Sequence, residues 1–159
     1  MRTIEIDVFK YSELTDSAKA NAREWLQRGG YVWIDEGIES IRAFCDHFGV
    51  KLTDYQLSPY SPSYIDTNAE NHHFRGYTLK QSEKERGLNP TGYCLDCDLF
   101  ETMHEQMKAT GCALHAFNAA IDAGKRGIIA DMAYQDSEEY IAEMMEINEY
   151  EFDENGRRA

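Results

Sequence analysis

Residues 136–156 read DSEEYIAEMMEINEYEFDENG, and the change of period inside this stretch decides the fold. Asp136 stands as an N-cap with Glu139 placed to close a capping box, and acids there suit the positive end of a helix dipole. Tyr140, Ile141, Met144, Met145 and Ile147 then recur at helical spacing and give one apolar face. From Glu149 the period drops to two. In Glu149-Tyr150-Glu151-Phe152-Asp153 acids alternate with aromatics, as in a half-buried strand, and Glu154-Asn155-Gly156 is a tight-turn signal. Glu139, Glu143 and Glu146 stack three and four apart, like-charge neighbours that cost roughly 0.2–0.5 kcal/mol each in a helix. A helix and a strand that each bury one side and show carboxylates on the other make a negatively charged platform.

The charge extends beyond this stretch. No Lys or Arg occurs from Gly127 to Gly156, and the whole chain of 159 residues carries a formal net charge of −13, from 29 acids against 16 bases. Such an excess repels itself in the compact state, and it disfavours direct nucleic-acid binding, which needs Lys and Arg on phosphates. Hydrophobic residues at 42% and aromatics at 12% still describe a folded protein rather than a disordered tail. No apolar run approaches a membrane span, and the alternating, acid-containing start Met1-Arg2-Thr3-Ile4-Glu5-Ile6-Asp7 does not resemble a signal peptide. A cytoplasmic setting is expected, with Cys45, Cys94, Cys97 and Cys112 as reduced thiols.

Taken in order, Thr3 to Phe9 alternates as a short strand, and Thr15 caps a helix through Gln27 that buries Ala18, Ala22, Trp25 and Leu26. A second helix spans about Asp35 to His47, with Ile34, Ile38, Ile41, Cys45 and Phe48 inward and Gly49 as its stop. Strands are expected over Val50–Leu57, around Tyr64-Ile65-Asp66, and from His72 to Tyr77. Leu79 to Arg86 reads as a short exposed helix. Tyr93 to Lys108 follows with a Leu99, Phe100, Met103 and Met107 stripe, then Cys112 to Ala123, stopped by Gly124. The expectation is α+β in a single domain over 1–159, a small mostly antiparallel sheet with helices on one face and a helical insert at about 79–124.

Tyr11-Ser12-Glu13-Leu14-Thr15-Asp16-Ser17-Ala18-Lys19, followed by Ala22 and Trp25, resembles the opening of a family of small acidic bacteriophage and prophage proteins. The closing segments Ser137-Glu138-Glu139, Asn148-Glu149-Tyr150-Glu151-Phe152 and Asn155-Gly156-Arg157 resemble the end of the same family. Some of its members carry an antitoxin-like label. The likeness covers the two ends, about a third of the chain, and the middle departs from it. In place of a Gly-rich aromatic turn stands Ser58-Pro59-Tyr60-Ser61-Pro62-Ser63-Tyr64. The resemblance implies a phage-encoded protein and carries over no catalytic residue.

Cys94-x-x-Cys97 with Cys112-x-x-His115 has zinc-ligand spacing. The helix between the pairs would hold its ends roughly 20 Å apart, so the four are weak candidates and otherwise small core residues. His72 and His73 on a strand would point to opposite faces. Cys45 and His47 do not face each other on a helix, and no nucleophile elbow, phosphate loop or dinucleotide fingerprint occurs. The leading expectation is a non-enzymatic, cofactor-free inhibitor that binds a basic surface of a host nucleic-acid-handling defence protein, an anti-CRISPR-like DNA mimic. Its contact residues would be Glu139, Glu143, Glu146, Glu149, Glu151, Asp153 and Glu154. An antitoxin-like partner of a toxin, and a zinc module or metal-dependent enzyme built on the insert, are the alternatives.

Overall fold

The Thr15 hydroxyl accepts the Ala18 N–H at 3.3 Å and opens the first long helix where the sequence places it. In chain order, the computed structural model, which describes Met1–Ala159, contains β1 (Phe9–Lys10), α1 (Asp16–Gln27), α2 (Ile34–His47), β2 (Leu52–Gln56), β3 (Tyr64–Thr67), α3 (Leu79–Glu85), α4 (Leu95–Thr110), α5 (Ala113–Gln135), α6 (Glu138–Ile147) and β4 (Glu151–Phe152). The fold is α+β, as expected. Helical residues, in six α-helices and two short 3-10 turns, account for 56% of the chain, and strand residues, nearly all in two antiparallel two-stranded sheets, for 9%, so helix packing builds the core. No helix is long and apolar enough to cross a membrane.

The chain divides into two compact units, one of Met1–Tyr31 with Ala133–Ala159, the other Val32–Met132. In the first, β1 pairs antiparallel with β4, Phe9 opposite Phe152 and Lys10 opposite Glu151. The expected strand over Thr3–Phe9 shrinks to its last residue plus Lys10. With β4 only two residues long, the earlier residues find no ladder partner, and Ile4 and Ile6 remain 77% and 68% exposed. Tyr11, Leu14, Ala18 and Ala22 bury against Ile141, Met145 and Phe152.

In the second unit β2 and β3 form a hairpin of their own, with Asp54 opposite Asp66 and Tyr55 opposite Ile65. The expected strands are thus shared between two sheets. His72 to Tyr77 is not a strand. Asn71–Phe74 forms a 3-10 turn started by a capping box in which Glu70 and His73 exchange side-chain and backbone bonds. Ile38, Ile41, Phe44 and Cys45 of α2 are buried, as are Leu99, Phe100 and Met103 of α4 and Phe117 of α5.

Gly124 does not stop α5, which runs on to Gln135. A Cβ at Gly124 would lie 2.8 Å from Leu99 Cδ2, so glycine serves there as a point of close approach within a continuous helix.

Candidate functional site

Ser137, not Asp136, caps α6. Its hydroxyl accepts the Tyr140 N–H at 3.2 Å and donates to the Tyr134 carbonyl at 2.6 Å. Asp136 instead accepts the Tyr31 hydroxyl at 2.6 Å. The one-residue shift moves Glu139 to the second helical position, so it closes no capping box, yet Glu138 and Glu139 still lie in the first turn where the helix dipole favours them. Ile141 and Met145 face inward, and burying each contributes about 1.5–3 kcal/mol. Ile147, expected on the same face, is instead exposed.

Glu138 ties the helix to the rest of its unit. Its carboxylate accepts the Tyr11 hydroxyl at 2.8 Å and pairs with the Arg23 guanidinium. Burial raises the Tyr11 phenol above its usual pKa, with the Arg23 hydrogen bond opposing. In the sequence Glu138 stands only as a helix-start acid. Nothing in one dimension links it to Tyr11, 127 residues away.

The strand end is fixed by aromatics. Trp25 meets Tyr150 edge-on at 5.0 Å and Phe152 at 6.0 Å, and the Arg158 guanidinium lies 4.8 Å from the Tyr150 ring centre. These contacts, each about 0.5–1.5 kcal/mol beyond area burial, hold β4 in one orientation.

On this anchored frame Glu139, Glu143, Glu146, Glu149, Glu151 and Glu154 are all exposed. None of the six is in an ion pair; the cations of the chain that do pair choose other acids. Glu139, Glu143 and Glu146 share one helix face at four- and three-residue steps. Their field reaches Tyr134, whose phenol is held above its ordinary pKa by desolvation and then by Glu139 and Glu143. Asp153 departs from the expected contact set. It is half-buried, and its Oδ1 accepts the Asn155 and Arg157 N–H groups at 2.9 Å each, so it builds the final turn.

Glu149 sits at φ 53°, in the left-handed region. The Glu149 N–H donates to the Glu146 carbonyl at 3.0 Å and the Tyr150 N–H to the Met145 carbonyl at 3.1 Å, the Schellman closure that helices usually make with glycine. Glu149→Gly should therefore stabilise the protein by about 0.5–1 kcal/mol, raising the thermal midpoint by about 1–4 °C. A midpoint that falls in differential scanning calorimetry would show that Glu149 holds a compensating contact.

The cysteine and histidine candidates do not converge. Cys94 and Cys97 lie at the start of α4 and Cys112 and His115 at the start of α5, separated by the 16 residues of α4, about 24 Å. Those three cysteines are exposed rather than in the core, and no group of three or more His, Cys, Asp or Glu side chains could hold a metal. Cys45 is buried, and burial pushes its thiol up to about 12, so it stays protonated. His72 and His73 do not point apart as a strand would make them; in the 3-10 turn their rings are 4.0 Å apart.

A further cluster escaped the sequence. Glu85, expected on an exposed helix, is buried and accepts from Tyr77 Oη at 2.7 Å and Gln81 Nε2 at 2.9 Å, with His47 Nε2 2.8 Å away. Burial and then the Glu85 bond raise the Tyr77 phenol pKa. The group satisfies its own polar atoms and braces α3 against the end of α2.

Compared with family models, curated proteins and solved structures, the chain matches none. The chain is an α+β protein in which six exposed glutamates, none in an ion pair, lie on α6, on β4 and in the turns that flank β4.

Proposed function

We propose that this protein is a phage-encoded, non-enzymatic inhibitor acting in the host cytoplasm, its carboxylate row occupying a basic nucleic-acid-binding surface of a defence protein. The observation that carries the reading is the set of six exposed glutamates, none in an ion pair, on α6, β4 and the turns beside β4, a segment tied down by Glu138, Trp25 and Phe152. Like charges held close together are costly unless a cationic partner relieves them. DNA-binding grooves offer such cations, and a fixed acidic face competes for them with enhanced on-rate. The resemblance of the two chain ends to acidic phage proteins supplies the biological setting, and anti-CRISPR action is its most concrete form.

The test begins with co-expression of the protein alongside individual nucleic-acid-handling defence systems, scoring plaque recovery. For the system that is relieved, binding to its purified complex is measured against salt. With about 0.5 kcal/mol per exposed charge contact, replacing all six glutamates by Gln is expected to weaken binding about a hundredfold and to flatten the salt dependence. Undiminished binding by the six-fold variant would remove this reading.

A second reading has its own observation. Ile4, Ile6 and Val8 alternate along an exposed segment that leads into β1. Such a segment suits strand addition to a partner, as in an antitoxin-like protein covering a toxin. Rescue of growth from a co-expressed toxin, lost on Ile4→Asp with Ile6→Asp but kept in the six-fold Gln variant, would favour it.

A further inference from the structure

Trp33 breaks three local rules at once. It is a bulky residue at φ 70°, a backbone region suited to Gly or Asn. It occupies the N-cap of α2 and makes no side-chain capping bond, where Ser, Thr, Asp or Asn would. And its indole stays 55% exposed. Local conflicts of this kind concentrate at working sites, where something other than stability selects the side chain.

Trp33 and Tyr93 stack with nearly parallel rings, 11° between planes and 6.1 Å between centroids. Both line a cavity of about 150 Å³ with Ile34, Leu95 and Ile128 at its apolar part and Asp98 and Asp131 among its walls. Pockets for drug-sized molecules run to about 300–1,000 Å³, so this one is scaled to a single side chain.

Tyr93 is held in place by buried polar groups. Asp96, almost fully buried, accepts through Oδ2 from the Thr91 N–H at 2.9 Å, the Thr91 hydroxyl at 2.8 Å and the Gly92 N–H at 3.1 Å. With its only hydroxyl proton given to Asp96, Thr91 Oγ1 accepts from buried Ser40 at 3.1 Å and from the Tyr93 N–H at 3.2 Å. The loop bearing Tyr93 is therefore tied to α4 and α2 before any ligand arrives, as a binding wall should be.

Flat π faces beside carboxylates define the occupant by charge and shape. Asp98 is exposed and in no ion pair, and the Glu36 and Asp131 charges are felt at Tyr93, whose phenol is pushed up to about 12 chiefly by burial. A guanidinium is planar, permanently cationic, stacks on aromatic faces and bonds carboxylates through its fork, whereas an ammonium is compact and strongly hydrated. We propose that Trp33, Tyr93, Asp98 and Asp131 form a socket for an arginine side chain of a protein partner. The socket goes beyond the acidic row and does not depend on it.

The test follows the Trp33 indole N–H resonance of the intact protein during titration with N-acetyl-arginine amide. The neutral isostere N-acetyl-citrulline amide and N-acetyl-trimethyllysine amide serve as the comparison probes. Saturable shifts are expected with the arginine probe and about tenfold weaker binding of the citrulline probe. Asp98→Asn should weaken arginine binding about threefold, and the six-fold Gln variant of the acidic row should bind it unchanged. Trp33→Asn, read through the resonances around Tyr93, should abolish the response while the thermal midpoint holds or rises, because Asn suits both the cap and the backbone angle. Equal binding of citrulline, tighter binding of trimethyllysine, no saturable shift, or a midpoint lowered by more than about 5 °C in Trp33→Asn would each overturn the socket.

Discussion

Gly156→Ala is expected to destabilise the first unit by about 3 kcal/mol or more, the largest effect of any one-carbon change in the chain. Two costs combine. The backbone there has φ +79°, which charges any L side chain about 1–2 kcal/mol. The new Cβ would also stand 1.9 Å from the Ala18 carbonyl oxygen and 2.7 Å from its carbon. That neighbour is backbone in the first turn of α1, not the tip of a flexible side chain, so relief requires moving the helix or the turn. The turn is bound by Asp153 from within and by the Asn21 amide, which donates to the Asn155 carbonyl at 2.9 Å. Urea unfolding read at Trp25, which touches Tyr150 and Phe152, is the measurement. A loss below about 1 kcal/mol would mean that the turn slides free of α1 at little cost.

The second large effect lies in the other unit. Phe44→Ala should cost about 3–5 kcal/mol, the range for truncating a buried aromatic. Phe44 has no exposed surface, and its ring centre is 5.2 Å from that of Phe48, 5.1 Å from Phe100 and 5.3 Å from Phe117. The truncation loses transfer energy and three ring contacts, and leaves a hole the neighbours fill only in part. Phe44→Leu keeps most of the volume and should cost less than half as much by the same measurement. Equal losses for the two variants, measured by far-UV circular dichroism in urea, would point to ring-specific contacts rather than the cavity.

These two positions also show what the sequence reveals and what it hides. Gly156 was legible as a turn residue from Glu154-Asn155-Gly156, but its approach to Ala18 joins positions far apart in the chain and leaves no local trace. Phe44 was missed although it lies three residues after Ile41. The buried arc of α2 is wider than the single stripe of Ile38, Ile41 and Cys45. The Thr15 cap of α1, the Gly49 stop of α2 and the periodicities of α1, α2 and α4 were readable because they are local. The run past Gly124 is legible too, since Ile121, Gly124, Ile128 and Met132 keep a helical step, but a glycine there has the look of a helix stop while in the fold it marks a contact. The 3-10 turn at Asn71–Phe74 hid because its capping box is Glu with His instead of the usual Ser or Thr with Glu.

For the candidate site, the acidic side chains were all visible in advance, and exposure bears on each separately. What could not be read was which acid works inside the fold. Glu138 and Asp153 spend their oxygens on Tyr11, Arg23 and the last turn, and only three dimensions separate them from Glu139 or Glu154. Trp33 stood beside Ile34 in the sequence with no sign of its backbone angle.

That angle and the one at Glu149 have a practical corollary. They are the only two non-glycine residues with left-handed backbones, one in the proposed arginine socket and the other in the proposed acidic row. A thermostability campaign guided by backbone statistics would rewrite both first, and would gain degrees of heat tolerance by altering the two proposed contact surfaces.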